Sequence, residues 1–169
     1  MLNIINNLQP FFEDCYRRIN VREYSRIMKI SPPTASKILA DFSKEGLLLT
    51  EKDRNYIFYY SNRDSKIFLD LSRIYWRVKL NSLITYFNKS LLNHTIILFG
   101  SLSKSEAKKD SDIDLCIIGE KKNIKLNDFE RTLKRKIQLL FFDSIQDINN
   151  NELKNNIING YVLSGGLRL

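Results

Sequence analysis

The stretch LFGSLSKSEAKKDSDIDLCIIG, residues 98–119, decides the fold of the C-terminal half of the chain. It contains the end of one apolar run, Thr95–Phe99, and a second apolar run that ends near Ile118. Short apolar runs bounded by glycine and polar residues are typical of buried strands. The sequence therefore predicts two buried strands, joined by a polar connection that opens with Gly100 and Ser101.

The aspartates Asp112 and Asp114 stand at the start of the second predicted strand. Residues i and i+2 of a strand point to the same face of a sheet, so we expect the two carboxylates to project side by side. Adjacent carboxylates repel each other, and a bound divalent cation offsets that repulsion. Because hard oxygen ligands favour Mg²⁺ or Mn²⁺ over zinc, the pair predicts a magnesium or manganese site.

The connection between the strands has features of a phosphate site, although a bare loop is the simpler alternative. Gly100 allows close approach of the backbone to a ligand, and Ser101 offers a hydroxyl and an N–H group. Residues Ser103–Lys108 predict a short helix whose N-terminus would face the same place, and helix N-termini attract phosphate. Lys104 adds a positive charge. These features favour a phosphate site formed by Gly100, Ser101 and Lys104.

The positive charge of the chain is concentrated in its N-terminal half. The net charge is +8. Residues 1–90 contain 15 Lys and Arg against nine Asp and Glu, which gives +6, whereas residues 91–169 contain 12 against ten, which gives +2. A basic half is typical of nucleic-acid binding, and a solvated basic surface is the alternative.

Three helices and a hairpin are predicted in this half. Ser31 and the two prolines after it predict a helix start, and Gly46 predicts the end of that helix, whose inward face would hold Ile38, Leu39 and Phe42. The predicted helices are Leu8–Ile19, Val21–Met28 and about Pro33–Lys44, and the predicted hairpin strands are Leu47–Thr50 and Tyr56–Tyr60, with a charged tip between them.

This order of elements resembles a winged helix-turn-helix of archaeal and bacterial regulators, over about residues 8–62. The matching segments are Arg22-Glu23-Tyr24, ISPPTASKIL and KEGLL. In such modules the start of the third helix touches base edges and the cations meet phosphates. The resemblance implies binding of double-stranded DNA; a protein-interaction or dimerisation module is the alternative. The predicted DNA-binding residues are Ser31, Thr34, Ser36, Lys37, Lys44, Lys52 and Arg54.

A long amphipathic helix, or a pair of helices, is predicted over Ser65–Leu92. Its apolar residues Ile67, Leu71, Ile74 and Val78 recur at spacings of four, three and four. A stripe with this spacing either packs on the flanking domains or forms the seam of a homodimer. The two interpretations are equally consistent with the sequence.

The segment with Gly-Ser, ten residues and then Asp-x-Asp resembles the signature of the polymerase-β-like nucleotidyltransferase superfamily, and SDIDL matches it fully. The whole chain is similar to archaeal proteins that join a winged helix to a minimal nucleotidyltransferase domain. The resemblance implies transfer of a nucleoside monophosphate from a nucleoside triphosphate to a hydroxyl. Asp112 and Asp114 would be the catalytic residues and would hold Mg²⁺ ions, and Gly100 and Ser101 would grip the phosphates.

The chain departs from the family pattern at the third carboxylate. Family members often carry a sequence like RKVDLV on the next strand, where this chain has Arg135-Lys136-Ile137-Gln138-Leu139-Leu140. Gln138 therefore stands where the aspartate is expected, and a neutral amide cannot act as a base. Asp143 lies an odd number of residues beyond Gln138 and would face away from it in a regular strand. Glu120 and Asp147 lie beyond the ends of the predicted strands and could replace the aspartate only through an unusual loop. This departure leaves a catalytically weak or inactive domain, acting as a nucleotide sensor or dimerisation platform in a DNA-binding regulator, as the alternative function.

Composition excludes several other classes. No apolar run approaches the roughly 18 residues that span a bilayer, and the N-terminus lacks the basic start of a signal peptide, so we expect a cytoplasmic protein. Cys15 and Cys116 are predicted core residues, and the single His94 excludes a His-rich metal site. A small helical toxin is a conceivable partner for a minimal nucleotidyltransferase, but nothing in the sequence is specific for it.

The predicted architecture is α+β in three parts. Residues 1–63 form a winged helix-turn-helix, residues 64–93 a linking or dimerisation helix, and residues 94–169 a nucleotidyltransferase-like mixed sheet with flanking helices.

Overall fold

The computed structural model describes residues 2–167 and divides the chain into two compact units. The first unit runs up to Tyr75 and includes the separate segment Ser105–Lys109. The second unit comprises Trp76–Lys104 and the residues from Asp110 onward. The fold is mixed α and β, as predicted.

The first unit contains helices and a three-stranded antiparallel sheet with the strand order β1-β3-β2. Its elements, in chain order, are α1 (Leu2–Glu13), β1 (Ile19–Asn20), α2 (Val21–Met28), α3 (Pro32–Lys44), β2 (Leu48–Asp53) and β3 (Tyr56–Ser61). Helix α4 (Lys66–Lys79) begins in this unit.

Side-chain caps set the starts of α2 and α3. The side chain of Asn20 accepts a hydrogen bond from the Glu23 N–H, and that of Ser31 accepts one from the Thr34 N–H. The predicted N-cap at Ser31 is therefore confirmed. The prediction for the first helix is wrong at both ends. The helix begins at Leu2 and ends at Glu13, and Ile19 instead pairs with Tyr59 as part of β1.

The hairpin of β2 and β3 is confirmed. Its last pair is Asp53 with Tyr56, and Arg54 turns the chain in a left-handed conformation with φ of 51°. Below it, the inward face of α3 consists of Ala35, Leu39 and Phe42, whereas the predicted Ile38 is only partly buried. Cys15 is buried, as predicted.

The second unit is built on a four-stranded mixed sheet with the order β6-β5-β4-β7. Strand β4 pairs antiparallel with β5 and β7, and β5 pairs parallel with β6. Its further elements are α5 (Asn81–Ser90), β4 (Thr95–Phe99), α6 (Gly100–Ser103), β5 (Ile113–Ile118), α7 (Asn127–Leu133), β6 (Ile137–Phe142), a 3-10 turn (Ile145–Asp147), α8 (Asn151–Ile158) and β7 (Tyr161–Ser164).

The centre of this sheet is buried. All five residues of β4 are buried, which explains its unbroken apolar sequence. Ile97, Phe99 and Cys116 form one core cluster with Ile145 and Ile157 from the elements that follow β6. The two buried-strand predictions and the core position of Cys116 are thus confirmed, and β4 ends at the same edge of the sheet at which β5 begins, near Gly100.

Helices α4 and α5 confirm the second of the two predictions for Ser65–Leu92, a pair of helices. On α4, Phe68 and Trp76 are fully buried, whereas Ile67 is 64% and Val78 is 56% exposed. The stripe of apolar residues at spacings of four, three and four is therefore exposed at its two ends and partly buried at Leu71 and Ile74. The packing interpretation and the homodimer interpretation both stay predictions.

None of the helices within residues 2–167 combines the length and the apolar content that a membrane crossing requires.

Candidate active site

The carboxylate pair lies at the sheet edge where β5 begins. Asp112 directly precedes β5, and Asp114 is its second residue. Because β4 and β5 are antiparallel with Phe99 opposite Asp114, Asp114 lies beside the point where the chain leaves β4. This register brings Gly100 and Asp114, which are separated in the sequence by the polar connection, next to each other.

Gly100 is in direct contact with the carboxylate of Asp114. Its φ is +68°, and a Cβ atom at this position would overlap Oδ2 of Asp114 and lie 3.1 Å from its Cγ. Any side chain here would have to displace the carboxylate, so glycine is required by space as well as by backbone conformation. The sequence predicted a glycine that lets a ligand approach; in the structure the approaching group is Asp114.

The predicted helix at Ser103–Lys108 is wrong. Helix α6 begins at Gly100 itself and ends at Ser103, whose hydroxyl donates to the Gly100 carbonyl at 2.9 Å. Ser105 then adopts a left-handed conformation with φ of 56°, which stops the helix. The segment Ser105–Lys109 belongs to the first unit, where the Ala107 carbonyl accepts a hydrogen bond from Cys15 N–H at 2.7 Å.

The pair carries negative charge in a half-buried place. Burial raises the pKa of Asp114, and the neighbouring charge of Asp112 raises that pKa further. Both effects disfavour the ionised form of Asp114. A cation bound to the pair would act in the opposite direction and stabilise both carboxylates.

Gln138 lies directly beside this pair. Strands β5 and β6 are parallel with Asp114 opposite Gln138, and the Gln138 amide donates from Nε2 to Asp112 Oδ2 at 2.8 Å. The amide therefore gives Asp112 a hydrogen-bond partner but contributes no negative charge.

The other carboxylates that the sequence offered are elsewhere. Asp143 follows the far end of β6 and lines a different cavity, with His94 and Gly119. Asp147 accepts two hydrogen bonds from Ser144. Within residues 2–167, no three His, Cys, Asp or Glu side chains are grouped so that they could hold a metal ion.

The donor set fits one divalent cation. Asp112 and Asp114 supply two negative charges, which match one Mg²⁺ or Mn²⁺, and oxygen donors suit these ions. A second cation would find only the neutral amide of Gln138 as an additional ligand. The arrangement of two cations that the family resemblance implies therefore does not fit these residues.

The remaining nucleotide-binding candidates lie on the β4 side of the pair. Ser101 is partly buried on α6, and its carbonyl accepts a hydrogen bond from the Lys104 N–H at 3.3 Å. The Lys104 ammonium donates to Oδ1 of Asn156 on α8 at 2.7 Å. Lys104 is thus close in sequence to Gly100, and its charged end contacts α8 rather than a carboxylate of the pair.

Arg135 positions the backbone beside the carboxylate pair, a role that the sequence did not indicate. It is 9% exposed, its Nη1 donates to the Ser111 carbonyl at 2.5 Å, and its guanidinium lies 5.2 Å from the centre of the Trp76 ring. The hydrogen bond holds the backbone immediately before Asp112. The only signal in the sequence was the basic pair Arg135-Lys136 before β6.

The start of α7 also differs from expectation. Asn127 and Glu130 do not form a capping box; the N-cap is Leu126, which makes no side-chain cap. The Glu130 carboxylate instead accepts a hydrogen bond from the Ile137 N–H at 2.9 Å. It therefore connects α7 to the first residue of β6.

The predicted DNA-binding residues all lie on the surface of the first unit. The hydroxyls of Ser31 and Thr34 bond to each other at 2.8 Å at the start of α3. Arg18, which the sequence did not single out, lies over the Phe58 ring and pairs with Glu51 of β2 at 3.0 Å. All seven residues of the predicted set are exposed, namely Ser31, Thr34, Ser36, Lys37, Lys44, Lys52 and Arg54.

Comparison with known proteins found one family model that matches a segment made up mostly of the second unit. Residues 80–163 match the family model described as nucleotidyltransferase domain. The matched segment runs from the end of α4 to β7 and contains Gly100, both aspartates and Gln138. No curated protein and no solved structure matches the chain. The nucleotidyltransferase part of the expected architecture is supported by this match.

Replacement of Gly100 by alanine tests the contact with Asp114. Gly46→Ala is the matched control, because Gly46 has a φ of +69° and open space around its Cβ position. We expect Gly46→Ala to cost about 1–2 kcal/mol of unfolding free energy from backbone strain alone. Gly100→Ala should cost more and should weaken Mn²⁺ binding, measured by titration calorimetry, whereas Gly46→Ala should leave Mn²⁺ binding unchanged. Equal effects of the two variants on both measurements would contradict the contact.

Asp114→Asn tests whether the ionised carboxylate of Asp114 destabilises the folded protein. Because the folded pKa of Asp114 is raised, the folded state binds a proton more readily than the unfolded state. Its contribution to stability is therefore present below the ordinary aspartate pKa of about 4 and is lost as pH rises through the folded value. Without divalent cation, Asp114→Asn should raise the thermal midpoint at pH 7 and leave it nearly unchanged at pH 3. The exposed Asp143→Asn should show no such pH-dependent gain.

Proposed function

We propose that the protein is a nucleotidyltransferase that depends on a divalent cation and whose first unit is a winged helix-turn-helix that binds double-stranded DNA. The observation that carries the catalytic part is the Asp112–Asp114 pair packed against Gly100, inside the segment that matches the nucleotidyltransferase family. The first unit adds the DNA-binding part through its exposed third helix and basic hairpin.

The proposed reaction transfers a nucleoside monophosphate to a hydroxyl. The hydroxyl oxygen forms a bond to the α-phosphorus, the bond from that phosphorus to the bridging oxygen breaks, and pyrophosphate leaves. A divalent cation held by Asp112 and Asp114 supplies positive charge to the phosphate oxygens when bound. Ser101 offers its hydroxyl and backbone at the β4 side of the pair, and Lys104 can add its charge once it releases Asn156.

The proton of the attacking hydroxyl has no dedicated acceptor at Gln138. The amide is neutral and already donates to Asp112, so it cannot take a proton. The proton would pass to solvent water or to a carboxylate of the pair that already holds the cation, and each is a weaker base than an additional free carboxylate. With Gln138 at this position, we expect the protein to bind the nucleotide and to transfer it slowly.

Gln138→Asp should increase the rate of transfer, because it supplies both a base and a third negative charge. General-base assistance is typically worth roughly 10²–10⁴-fold. The assay uses labelled ATP, and then the other nucleoside triphosphates, with Mg²⁺ or Mn²⁺ and candidate acceptors, and it follows label in the acceptor and release of pyrophosphate. Asp112→Asn should abolish transfer in either background. Absence of transfer with every nucleotide, in the wild type and in Gln138→Asp, would refute the enzymatic proposal.

A second candidate function follows from the same residue. If nucleotide binds and no transfer occurs, the chain is a DNA-binding regulator whose nucleotidyltransferase-like unit senses the nucleotide. The hydrogen bond from Gln138 to Asp112 favours this candidate, because it stabilises a carboxylate for ligand binding while removing the base.

DNA binding is supported by the surface of the first unit. Helix α3 exposes Ser36 and Lys37, and the hairpin exposes Lys52 and Arg54 at its tip. A helix start with small polar side chains suits the major groove, and hairpin cations suit the neighbouring phosphates. The hydroxyls of Ser31 and Thr34 are already bonded to each other, so we assign base contacts first to Ser36 and Lys37.

The salt dependence of DNA binding tests this surface. Replacement of Lys37, Lys52 and Arg54 by glutamine should weaken binding and reduce the slope of log K against log salt by about 2–3, since each phosphate contact contributes about 0.9. The matched control replaces three exposed lysines outside the predicted set, Lys66, Lys89 and Lys121, and should change the slope by less than about 1. Fluorescence polarisation with labelled promoter DNA provides the measurement. Salt-insensitive binding, or equal losses in the two variants, would contradict the assignment.

A further inference from the structure

A basic cavity opens where α7 leads into β6. Its volume is about 570 Å³. The lining residues, which we call the basic cavity, are Asn127, Glu130, Arg131, Lys134, Arg135 and Lys136. Lys134 ends α7 in a left-handed conformation with φ of 55°, and the chain then turns directly into β6. Four cations are thereby collected from a short piece of chain.

The charge of the basic cavity is positive and only partly offset. Glu130 is the one acidic residue that lines it, and its carboxylate is bonded to the Ile137 N–H. Arg131 pairs with Asp128 at 2.5 Å, but the two side chains are 79% and 87% exposed, so water screens the pair strongly. A cavity of this kind attracts anions.

The basic cavity lies at the same sheet edge as the carboxylate pair. Parallel strands β5 and β6 begin side by side, and the Ile113 N–H donates to the Lys136 carbonyl at 2.8 Å. Asp112 is the residue before Ile113, and Gln138, which bonds Asp112, is two residues after Lys136. With a rise of about 3.3 Å per residue, the backbone of Lys136 is within about 7 Å of the level of Gln138 along the strand.

The carboxylates therefore have a different surface on each side of β5. Gly100 and Ser101 lie on the β4 side, and the basic cavity lies on the β6 side. Neighbouring strands are about 4.8 Å apart, so the two sides are separated by roughly 10 Å. A transfer reaction needs two reactants to meet at the carboxylates. If the triphosphate occupies the β4 side, the second reactant approaches over β6.

We propose that the basic cavity binds the phosphate group of the acceptor, so that the molecule that receives the nucleotide is itself phosphate-bearing. This inference rests on the proposed function. An uncharged small molecule, or an acceptor hydroxyl on a neutral peptide, carries no negative charge for the exposed cations Arg131, Lys134 and Lys136 to bind. The phosphate belongs either to a free nucleoside monophosphate or to the end of a single-stranded RNA; the two share one chemistry.

The test variant replaces Arg131, Lys134 and Lys136 by glutamine and retains Arg135. Arg135 is excluded because it holds the Ser111 carbonyl and packs on Trp76, so its loss would disturb Asp112 directly. Both the variant and its control, the replacement of Lys66, Lys89 and Lys121, are made in a chain that already lacks Lys37, Lys52 and Arg54, which removes the proposed DNA surface. The probes are a short single-stranded RNA with a free 3′-hydroxyl, labelled at its 5′ end, and 5′-AMP.

The basic-cavity variant should bind one or both probes at least about tenfold more weakly than its parent, and the control should stay within about twofold. For RNA, the slope of log K against log salt should fall by about 2, since a single-strand contact contributes about 0.7. Loss confined to RNA identifies a nucleic-acid end, and loss of AMP binding identifies a free monophosphate; both support the inference. Unchanged binding of both probes, or equal losses in variant and control, would overturn it.

Nucleoside triphosphate binding with Mn²⁺ separates this inference from the proposed function. The basic-cavity variant should bind the triphosphate within about threefold of its parent. Loss of triphosphate binding with intact probe binding would assign the basic cavity to the donor and overturn the inference, while the proposed function stands. If the parent binds no triphosphate but the variant loses probe binding, the proposed function fails and the phosphate site remains supported.

Discussion

The carboxylate of Asp114 occupies the space in which residue 100 would carry a side chain, and the candidate site depends on this contact. It requires glycine at position 100, in a left-handed conformation that only glycine adopts readily. It also requires the antiparallel register that places Phe99 opposite Asp114. Because β4 is buried along its whole length, this register cannot slip without exposing the core.

The carboxylate of Asp114 also lies close to that of Asp112, and the surrounding residues partly offset the repulsion between the two. Two carboxylates near one another, one of them half-buried, are costly when ionised. Gln138 donates one hydrogen bond to Asp112, and Arg135 holds the backbone just before it. Neither residue cancels both negative charges, which is the reason that the proposed function places a cation on the pair. The cations of the basic cavity stand on one side of this negative centre, where they can hold a reactant that would otherwise be repelled.

Sequence reasoning identified the parts of the site that depend on local pattern. The apolar runs of β4 and β5 and the i, i+2 spacing of the aspartates are readable because strands alternate with a period of two. The position of Gln138 followed from a family pattern, and the structure places it beside Asp112. The role of Arg135 was not predictable, because its partners Ser111 and Trp76 are distant in sequence. The partial burial of the apolar stripe on α4 was not predictable for a related reason: periodicity reports an apolar face but not how much of it the fold covers.

The two candidate functions share the binding of a nucleotide and differ in whether the nucleotide is then transferred. In both proposals a nucleotide binds through Gly100, the aspartate pair and a cation, and none of these requires a base at position 138. Transfer requires in addition that a proton leaves the attacking hydroxyl. A change from carboxylate to amide at that position therefore removes proton transfer while preserving, and through the hydrogen bond to Asp112 even supporting, the ligand-binding form of the site. An enzyme and a nucleotide sensor on this fold are thus separated by the chemistry of one side chain, and the DNA-binding surface proposed for the first unit can serve either of them.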